Sequence, residues 1–411
     1  MCEPLNIQIK KAVGYFSLMT NSKARIESLD LIRGFALLGI LLMNITSFSQ
    51  VGIAYLNPLM GAGYEGSNMW LWDLNWFFSD MRFMNIFSML FGAGVIIFSE
   101  NLEVKGKKAW PVHYRRMFLL LGFGLAHAYL IWAGDILVAY AICGMFIFLL
   151  RNKSVRTLSI IAGILFCIPL IFSLITWFGM PKEQMAEAFA FYSPSEAEQQ
   201  VEVAMMLGSY AEQTEKRMEE AIGLQTIVFL TEIGWRATAL MLIGMILFKT
   251  KVLTGEHSIS FYKKMAMMGI PIGLLISGIG LYLAKDSNWD ASYMMAIGTK
   301  FNYAGSLPMS LGYIGVLMVV FKIGSVQALQ DRLKACGRMA FTNYIFMSAC
   351  GMFLFYGIGF GLIMTFERWQ MLLTTWVIWG IMLAFSPMIL SRFKQGPLEW
   401  FWRYLTYLGN R

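Results

Sequence analysis

Long apolar runs alternate with short polar segments along most of the chain. Most of these runs are close to the 17 to 25 residues that a helix needs to cross a hydrocarbon core about 30 Å thick. Backbone N–H and C=O groups in lipid have no water to bond, so they must form hydrogen bonds within the spanning segment, which favours helices. We therefore predict an all-α polytopic membrane bundle of about ten transmembrane helices, at residues 29–48, 83–98, 116–132, 136–150, 158–177, 222–248, 265–283, 301–321, 339–362 and 371–390.

The basic residues fall in every second gap between these runs. Of the 33 lysines and arginines, 24 lie on the side that would hold both termini and only 6 lie on the other side. Basic residues are retained in the cytoplasm during insertion, so the pattern predicts that both ends of the chain are cytoplasmic.

Composition supports a membrane protein. Hydrophobic residues make up 57% of the chain and charged residues only 14%, whereas soluble domains carry about 25% charged residues. The net charge of the chain is +8, and its basic residues lie mostly in short loops next to the predicted span ends. This position favours contact with anionic membrane lipids over nucleic acid. The five cysteines show neither zinc-type nor disulfide spacing, and we predict no metal site.

The connections divide the chain into five parts. We predict a cytoplasmic tail (1–25), an amino-terminal half with five spans (26–178), a periplasmic loop (179–221), a carboxyl-terminal half with five spans (222–391) and an interfacial cytoplasmic helix (392–411).

Within the periplasmic loop, Ser193-Pro194-Ser195-Glu196 predicts a helix whose first residue is Pro194. Val203, Met206, Leu207 and Tyr210 would give that helix one apolar face. This helix either covers the bundle at the interface or forms a lid over a site.

Ionisable residues inside the membrane are costly and point to function. Asp30 and Arg33 lie three residues apart at the start of the first span, on the same face of a helix. They could form an ion pair with each other, or Arg33 could face an anionic ligand. Glu232 and Arg236, four residues apart in the sixth span, are interpreted first as a structural pair and alternatively as a ligand site.

His127 and Asp135 are the candidate catalytic pair. His127 lies eleven residues beyond Arg116, about 16 Å along a helix, and is the only histidine inside a predicted span. The fourth span is short enough to place Asp135 below the membrane surface. A buried histidine satisfied by a backbone carbonyl is the alternative, and direct contact between the two side chains does not follow from the sequence. We expect both to line one continuous cavity, with His127 as a general base.

Polar residues at the inner ends of the first, third and ninth spans suggest a basic vestibule. Arginines hold phosphate groups through paired hydrogen bonds, and retention of positive charge in the cytoplasm is the competing explanation. The candidate ligand-binding residues are Arg33, Arg115, Arg116, Arg338 and Asn343.

The chain resembles the YeiB family of bacterial multi-pass inner-membrane proteins. The matching segments occur in order from about residue 26 to the end: 28–44 (SLDLIRGFALLGILLMN), 87–94 (FSMLFGAG), 134–137 (GDIL) with 140–141 (YA), 337–340 (GRMA) with 342–344 (TNY), and 396–400 (GPLEW) with Arg403. The resemblance implies a location in the bacterial inner membrane.

The first span also resembles that of the transmembrane acyltransferases, which pass an acyl group from acyl-CoA to an acceptor across the membrane. In the acyltransferase-3 branch a catalytic histidine follows eleven residues after the arginine, where this chain has Asn44. The lysosomal branch has its histidine in the loop after the first span, and residues 49–69 hold none. The resemblance then leaves His127 as the replacement within the membrane.

Three functions remain open at this point. The first is an acyltransferase that uses acyl-CoA as donor and a small molecule or envelope glycan as acceptor. The second is a proton-coupled transporter of a small anionic metabolite, with Arg33, His127, Asp135 and Glu232 along its path. The third is a non-catalytic sensor or scaffold whose contact surface is the segment 179–221. The sequence leaves the oligomeric state open.

Overall fold

The computed structural model describes residues 25–408, so the predicted cytoplasmic tail lies outside the described residues apart from Arg25. Within this range every regular element is a helix and no β-strand occurs. The prediction of an all-α protein is confirmed.

The amino-terminal half contains six α-helices. Residues 50–65, which include a 3-10 helix at Gly52–Tyr55, connect the first two, and short turns connect the others. The six helices are α1 (Glu27–Ser49), α2 (Gly66–Phe78), α3 (Arg82–Glu103), α4 (Ala109–Leu130), α5 (Leu137–Leu150) and α6 (Val155–Gly179). The chain bends between α2 and α3, where Met81 adopts a left-handed φ of 66°. A single straight helix from residue 67 to 98 would be about 48 Å long, which exceeds the hydrocarbon thickness of about 30 Å.

The segment 179–221 contains three helices: α7 (Lys182–Ala188), α8 (Glu196–Leu207) and α9 (Tyr210–Gly223). The helix predicted to begin at Pro194 begins two residues later. Ser195 is its N-cap, with Glu198 as the partner in the capping box. The Ser193 hydroxyl instead accepts a hydrogen bond from the Asn57 side chain at 3.3 Å.

The predicted apolar face of this loop is divided between two helices. Met206 is buried, but Leu207 and Tyr210 are 43% and 44% exposed. The spacing rule assumed one continuous helix, whereas α8 ends at Leu207 and Ser209 starts a second capping box with Glu212.

The carboxyl-terminal half begins with a π-helical segment, Leu224–Ile233, that continues into α10 (Gly234–Lys249). The longer helices that follow are α11 (Ile259–Asp286), α12 (Thr299–Ile323), α13 (Gln327–Arg338), α14 (Ala340–Phe355), α15 (Arg368–Arg392) and α16 (Pro397–Tyr407). A short helix, Ala291–Tyr293, and a π-helical segment, Met294–Gly298, lead into α12. α13 lies between two predicted spans and packs along α1. α16 lies within the segment 392–411, where a helix was predicted, and begins with proline in its first turn.

Within residues 25–408, seven helical stretches are long and apolar enough to cross a membrane. They are Glu27–Ser49, Gly66–Glu103, Val155–Gly179, Tyr210–Lys249, Ile259–Asp286, Ala291–Ile323 and Arg368–Arg392. The chain is therefore a multi-pass membrane protein.

The other three predicted spans overlap α4, α5 and α14, but these helices differ from the seven. α14 ends at Phe355, whereas the span was predicted to continue to residue 362. α5 and α14 are apolar but have 14 and 16 residues, about 21 and 24 Å, which is less than the hydrocarbon thickness. α4 is 22 residues long and carries two histidines and two arginines. The count of ten spans thus stays a prediction.

α1 lies at the centre of the bundle, while α6 and α15 lie at its edge. In the apolar part of α1, 72% of the residues are buried, against 22% in α6 and in α15. The exposed side chains of the two outer helices are largely apolar, as expected for helices that face lipid. This arrangement places the charged start of α1 against α13 inside the bundle.

Candidate functional site

A cavity of about 240 Å³ opens among α1, α3, α4, α5, α13, α14 and α16. Four charged side chains lie at one end of it, Arg33, Arg116, Arg338 and Glu399. Its wall is otherwise mostly apolar and includes Ile40, Phe87, Leu90, Phe91, Val95, Phe98, Met117, Leu120, Ile136, Leu137, Phe341 and Trp402. The cavity therefore suits a molecule with an anionic group and an apolar portion.

Two glycines bring Arg33 and Arg338 to the same place. A Cβ added to Gly34 would lie 1.9 Å from the Leu333 carbonyl oxygen, and one added to Gly337 would lie 2.0 Å from the Asp30 carbonyl oxygen. α1 and α13 therefore cross with their backbones in contact. Each glycine is next to one of the arginines in sequence, so the crossing places both guanidinium groups at the cavity.

Arg33 both forms its predicted ion pair and lines the cavity. Its Nη1 donates to Asp30 Oδ1 at 3.1 Å, and Arg25 also pairs with Asp30. Arg338 Nη2 donates to the Lys394 carbonyl at 3.0 Å. The Nε of Arg338 is buried without a hydrogen-bond partner, so this guanidinium has a free donor.

Arg116 is held between two aromatic rings. Its guanidinium carbon lies 4.6 Å from the ring centroid of Phe98 and 4.2 Å from that of Trp402. Such cation–π contacts position the charge while leaving the N–H donors unused. Among the described residues, no hydrogen-bond acceptor contacts the Arg116 guanidinium. Of the three cavity arginines, Arg116 thus makes the fewest guanidinium hydrogen bonds to residues 25–408.

The predicted site residues Arg115 and Asn343 do not line the cavity. Arg115 donates to the Leu408 carbonyl, because successive side chains on a helix point about 100° apart. Asn343 faces α15, where its Nδ2 donates to Ser386 Oγ at 3.0 Å and to the Cys336 carbonyl at 3.3 Å.

Glu399 fixes the wall formed by α16. Its carboxylate accepts hydrogen bonds from the backbone N–H groups of Phe341 and Thr342, at 2.7 and 3.0 Å, and from the Thr342 hydroxyl at 2.6 Å. A carboxylate at the start of α14 satisfies donors that the helix cannot satisfy itself. Trp402, on the same helix, donates to the Arg116 carbonyl at 3.1 Å.

His127 and Asp135 are in direct contact. His127 Nδ1 lies 2.7 Å from Asp135 Oδ2, and both side chains are inaccessible to solvent. The other carboxylate oxygen accepts the Val138 N–H at 2.8 Å. Gly124 permits this approach, since a Cβ there would lie 2.7 Å from the Val138 nitrogen. The hairpin between α4 and α5 thus builds the pair.

The other ring nitrogen of His127, Nε2, has no hydrogen-bond partner among the described residues. In the neutral imidazole, the hydrogen bond to the Asp135 carboxylate places the proton on Nδ1 and the lone pair on Nε2. Nε2 is buried and makes no hydrogen bond within residues 25–408. The alternative expected from the sequence, a histidine satisfied by a backbone carbonyl, is therefore not what the structure contains.

The expectation that His127 and Asp135 line the cavity is not met. At this level the wall is formed by Ile136, Leu137 and Tyr344. The Tyr344 ring packs against the His127 ring, with centroids 5.1 Å apart. The pair therefore lies behind a layer of side chains.

Two further residues of the cavity wall were missed in the sequence. His113 was assigned to a loop, but α4 begins at Ala109, and His113 Nε2 contacts the Gly144 carbonyl at 3.0 Å. The second residue, Tyr140, contacts Ser88 Oγ at 2.6 Å. Tyr140 belongs to the 140–141 motif, which was the available signal. No group of three potential metal-binding side chains occurs within residues 25–408.

On the side away from the arginines, α9 covers the hairpin. Arg217 is 2% exposed and donates to the carbonyls of Tyr129 and Ile131 at 3.0 and 3.3 Å. The Tyr210 hydroxyl donates to the Leu130 carbonyl at 2.8 Å. These bonds satisfy carbonyls at the end of α4 and hold α9 next to the catalytic candidates.

Glu232 and Arg236 do not pair with each other. Glu232 pairs with Lys300, and Arg236 donates to Asn85 Oδ1 at 2.7 Å. The predicted pair required α-helical spacing, but residues 224–233 are π-helical, with a wider turn that changes which residues share a face. Neither residue lines the cavity.

Comparison with known proteins identifies the family. A family model described as a protein of unknown function (DUF418) matches residues 247–409. The chain is 31% identical to the uncharacterized protein YxaH of Bacillus subtilis (strain 168) over 409 residues, covering 95% of this chain and 96% of YxaH. It is 28% identical to the uncharacterized protein YeiB of Escherichia coli (strain K12) over 381 residues, covering 92% and 95% of the two chains. This chain therefore belongs to the YeiB family, as its sequence motifs predicted.

Proposed function

We propose that this protein is a membrane acyltransferase that moves an acyl group from acyl-CoA to a small-molecule or envelope acceptor. The observation that carries the proposal is the buried His127–Asp135 pair, with a free imidazole nitrogen directly behind the wall of an amphipathic cavity. A carboxylate-oriented histidine with one free nitrogen is the arrangement of a general base.

The cavity arginines provide the donor site in this proposal. Arg33, Arg116 and Arg338 lie at one end, and the unpaired N–H groups of Arg116 and Arg338 match the phosphate oxygens of a coenzyme. Arg116 is about 16 Å from His127 along α4. An extended chain of that length would pass along the apolar wall toward the histidine.

His127 would act twice. Nε2 would take the proton from the hydroxyl or amine of the acceptor, and Asp135 would stabilise the resulting imidazolium. An acyl thioester supplies an activated carbonyl; the acceptor atom bonds to it as the carbon–sulfur bond breaks. His127 would then return its proton to the sulfur leaving group, which restores the neutral imidazole.

Acyl transfer in isolated membranes with attached envelope material is the test of the proposal. Membranes containing the protein are supplied with radiolabelled acetyl-CoA, and label in envelope material is measured. We expect His127→Ala and Asp135→Asn to lower transfer by about 10²-fold or more, at normal expression. His257→Ala, which changes a histidine away from the cavity, is the matched control. If His127→Ala transfers label at the wild-type rate, the assignment of the base is wrong.

We also propose ten spans in the bacterial inner membrane, with both termini cytoplasmic and residues 179–221 outside. The distribution of basic residues supports this topology. Single cysteines introduced at Ser195 and Ser325 are treated in intact cells with an impermeant thiol reagent. Labelling at position 195 alone is expected, and labelling at position 325 alone would reverse the orientation.

A further inference from the structure

Tyr344 is the aromatic residue in the layer of side chains that separates the cavity from the catalytic pair. Tyr344 is 5% exposed, lines the cavity and packs against the His127 ring at a centroid distance of 5.1 Å and an interplanar angle of 53°. His127 itself does not reach the cavity surface. A ligand that approaches from the arginine end therefore meets Tyr344 before it meets the imidazole.

The hydroxyl of Tyr344 is tethered to the hairpin that carries Asp135. It accepts the Ile136 N–H at 3.3 Å and donates to the Gly134 carbonyl at 3.5 Å. Both distances are longer than is usual for such bonds, so each tether is weak. The partners are the two residues on either side of Asp135, and movement of Tyr344 is therefore linked directly to the catalytic pair.

The free nitrogen of His127 makes the present position of Tyr344 a closed one. A buried polar atom without a hydrogen-bond partner is costly, and His127 Nε2 is such an atom. A ligand hydroxyl or amine that reached Nε2 would satisfy it. Tyr344 fills the approach from the cavity, so the ring must turn away before that contact forms.

We propose that Tyr344 is the gate between the cavity and His127, and that its displacement by the ligand admits the reacting group to Nε2. This proposal rests on the assignment of His127 as the reactive base. Its closing experiment measures chemical access to the imidazole and needs no turnover. Failure of the gate is therefore distinguishable from failure of the acyltransferase assignment.

The probe is diethyl pyrocarbonate, a small reagent that modifies the unprotonated imidazole nitrogen. The chain has three histidines, and mass spectrometry of the digested protein follows each one separately. His257 lies in a loop, and His113 lines the same cavity, so both are internal references. In the wild-type protein we expect His127 to react most slowly of the three.

Tyr344→Ala should raise the rate at His127 by about tenfold or more, with the rates at His113 and His257 within about twofold of wild type. Tyr344→Phe keeps the ring but loses both tethers. Because the lost hydrogen bonds are weak, we expect the rate of modification at His127 to rise about 2- to 10-fold in this variant. This milder variant keeps the proposal testable if the alanine variant does not fold.

Phe341→Ala is the matched control. Phe341 is on the same helix and lines the same cavity, but its ring contacts are with Phe123 and Trp402. The Phe341→Ala variant should enlarge the cavity without exposing His127. Equal reactivity of His127 in wild type and in Tyr344→Phe would overturn the gate. So would a similar rise at His127 in Phe341→Ala.

Discussion

Replacement of Arg116 by glutamine tests the donor site most directly, because the neighbouring arginine provides a matched control. Arg116 lines the cavity and its guanidinium donors are unused by the described residues, whereas Arg115 points away and donates to the Leu408 carbonyl. Both substitutions remove one positive charge from the same turn of α4. Only Arg116→Gln removes a charge from the cavity wall.

The expected difference follows from the contact that is lost. A hydrogen bond from a charged group contributes about 1.5 to 3 kcal/mol. We therefore expect the Kd for acetyl-CoA to rise about 10- to 150-fold in Arg116→Gln. In Arg115→Gln it should change by less than about twofold, because exposed charges are screened by salt and solvent.

Equilibrium binding of radiolabelled acetyl-CoA to protein in lipid nanodiscs measures both constants. Arg116→Gln also loses the contacts with Phe98 and Trp402, worth about 0.5 to 2 kcal/mol. A thermal melt of each variant therefore shows whether the cavity is intact. Arg116→Lys is a second variant, which keeps the charge but loses the planar donors. If the two glutamine variants bind equally well, Arg116 does not contact the donor and the phosphate site is wrong.

Three further predictions concern the framework. Gly337→Ala should destabilise the protein by about 1 to 3 kcal/mol, since the new Cβ would lie 2.0 Å from the Asp30 carbonyl oxygen; Gly163→Ala, with open space at its Cβ, should have little effect on the melting temperature. Hydrogen bonds from Ser195 hold the pKa of Glu198 below its ordinary value, so its contribution to α8 is present at neutral pH and lost as the pH falls through that lowered pKa. Hydrogen-exchange protection of α8 should therefore drop between pH 6 and pH 3 in the wild type, and a drop of the same size in Glu198→Gln would contradict this. Arg217→Ala should raise hydrogen exchange in α9, because two of the Arg217 hydrogen bonds hold α9 to the end of α4; unchanged exchange there would show that other contacts fix the helix.

The sequence was sufficient for much of the fold because apolar periodicity and span length act locally. Each predicted span overlaps a helix, although α14 ends at Phe355, seven residues before the predicted end of its span. The sequence was a less reliable guide where two local signals compete. The start of α8 was misplaced by two residues because two overlapping Ser-x-x-Glu frames exist, and a contact from Asn57 engages the first serine.

The chemistry of the candidate site was decided by tertiary contacts. His127 and Asp135 were identifiable as polar groups in a membrane, but the hairpin geometry and Gly124 bring them to 2.7 Å. Arg115 and Arg116 are identical residues at neighbouring positions. Only the direction of each side chain on α4 decides that Arg116 lines the cavity and Arg115 does not. Glu232 was assigned to Arg236 by spacing, yet a π-helical turn and a lysine 68 residues away gave it another partner. Sequence determined which residues are costly to bury, because that depends on residue type alone; their partners depend on how the helices cross, which only the assembled bundle fixes.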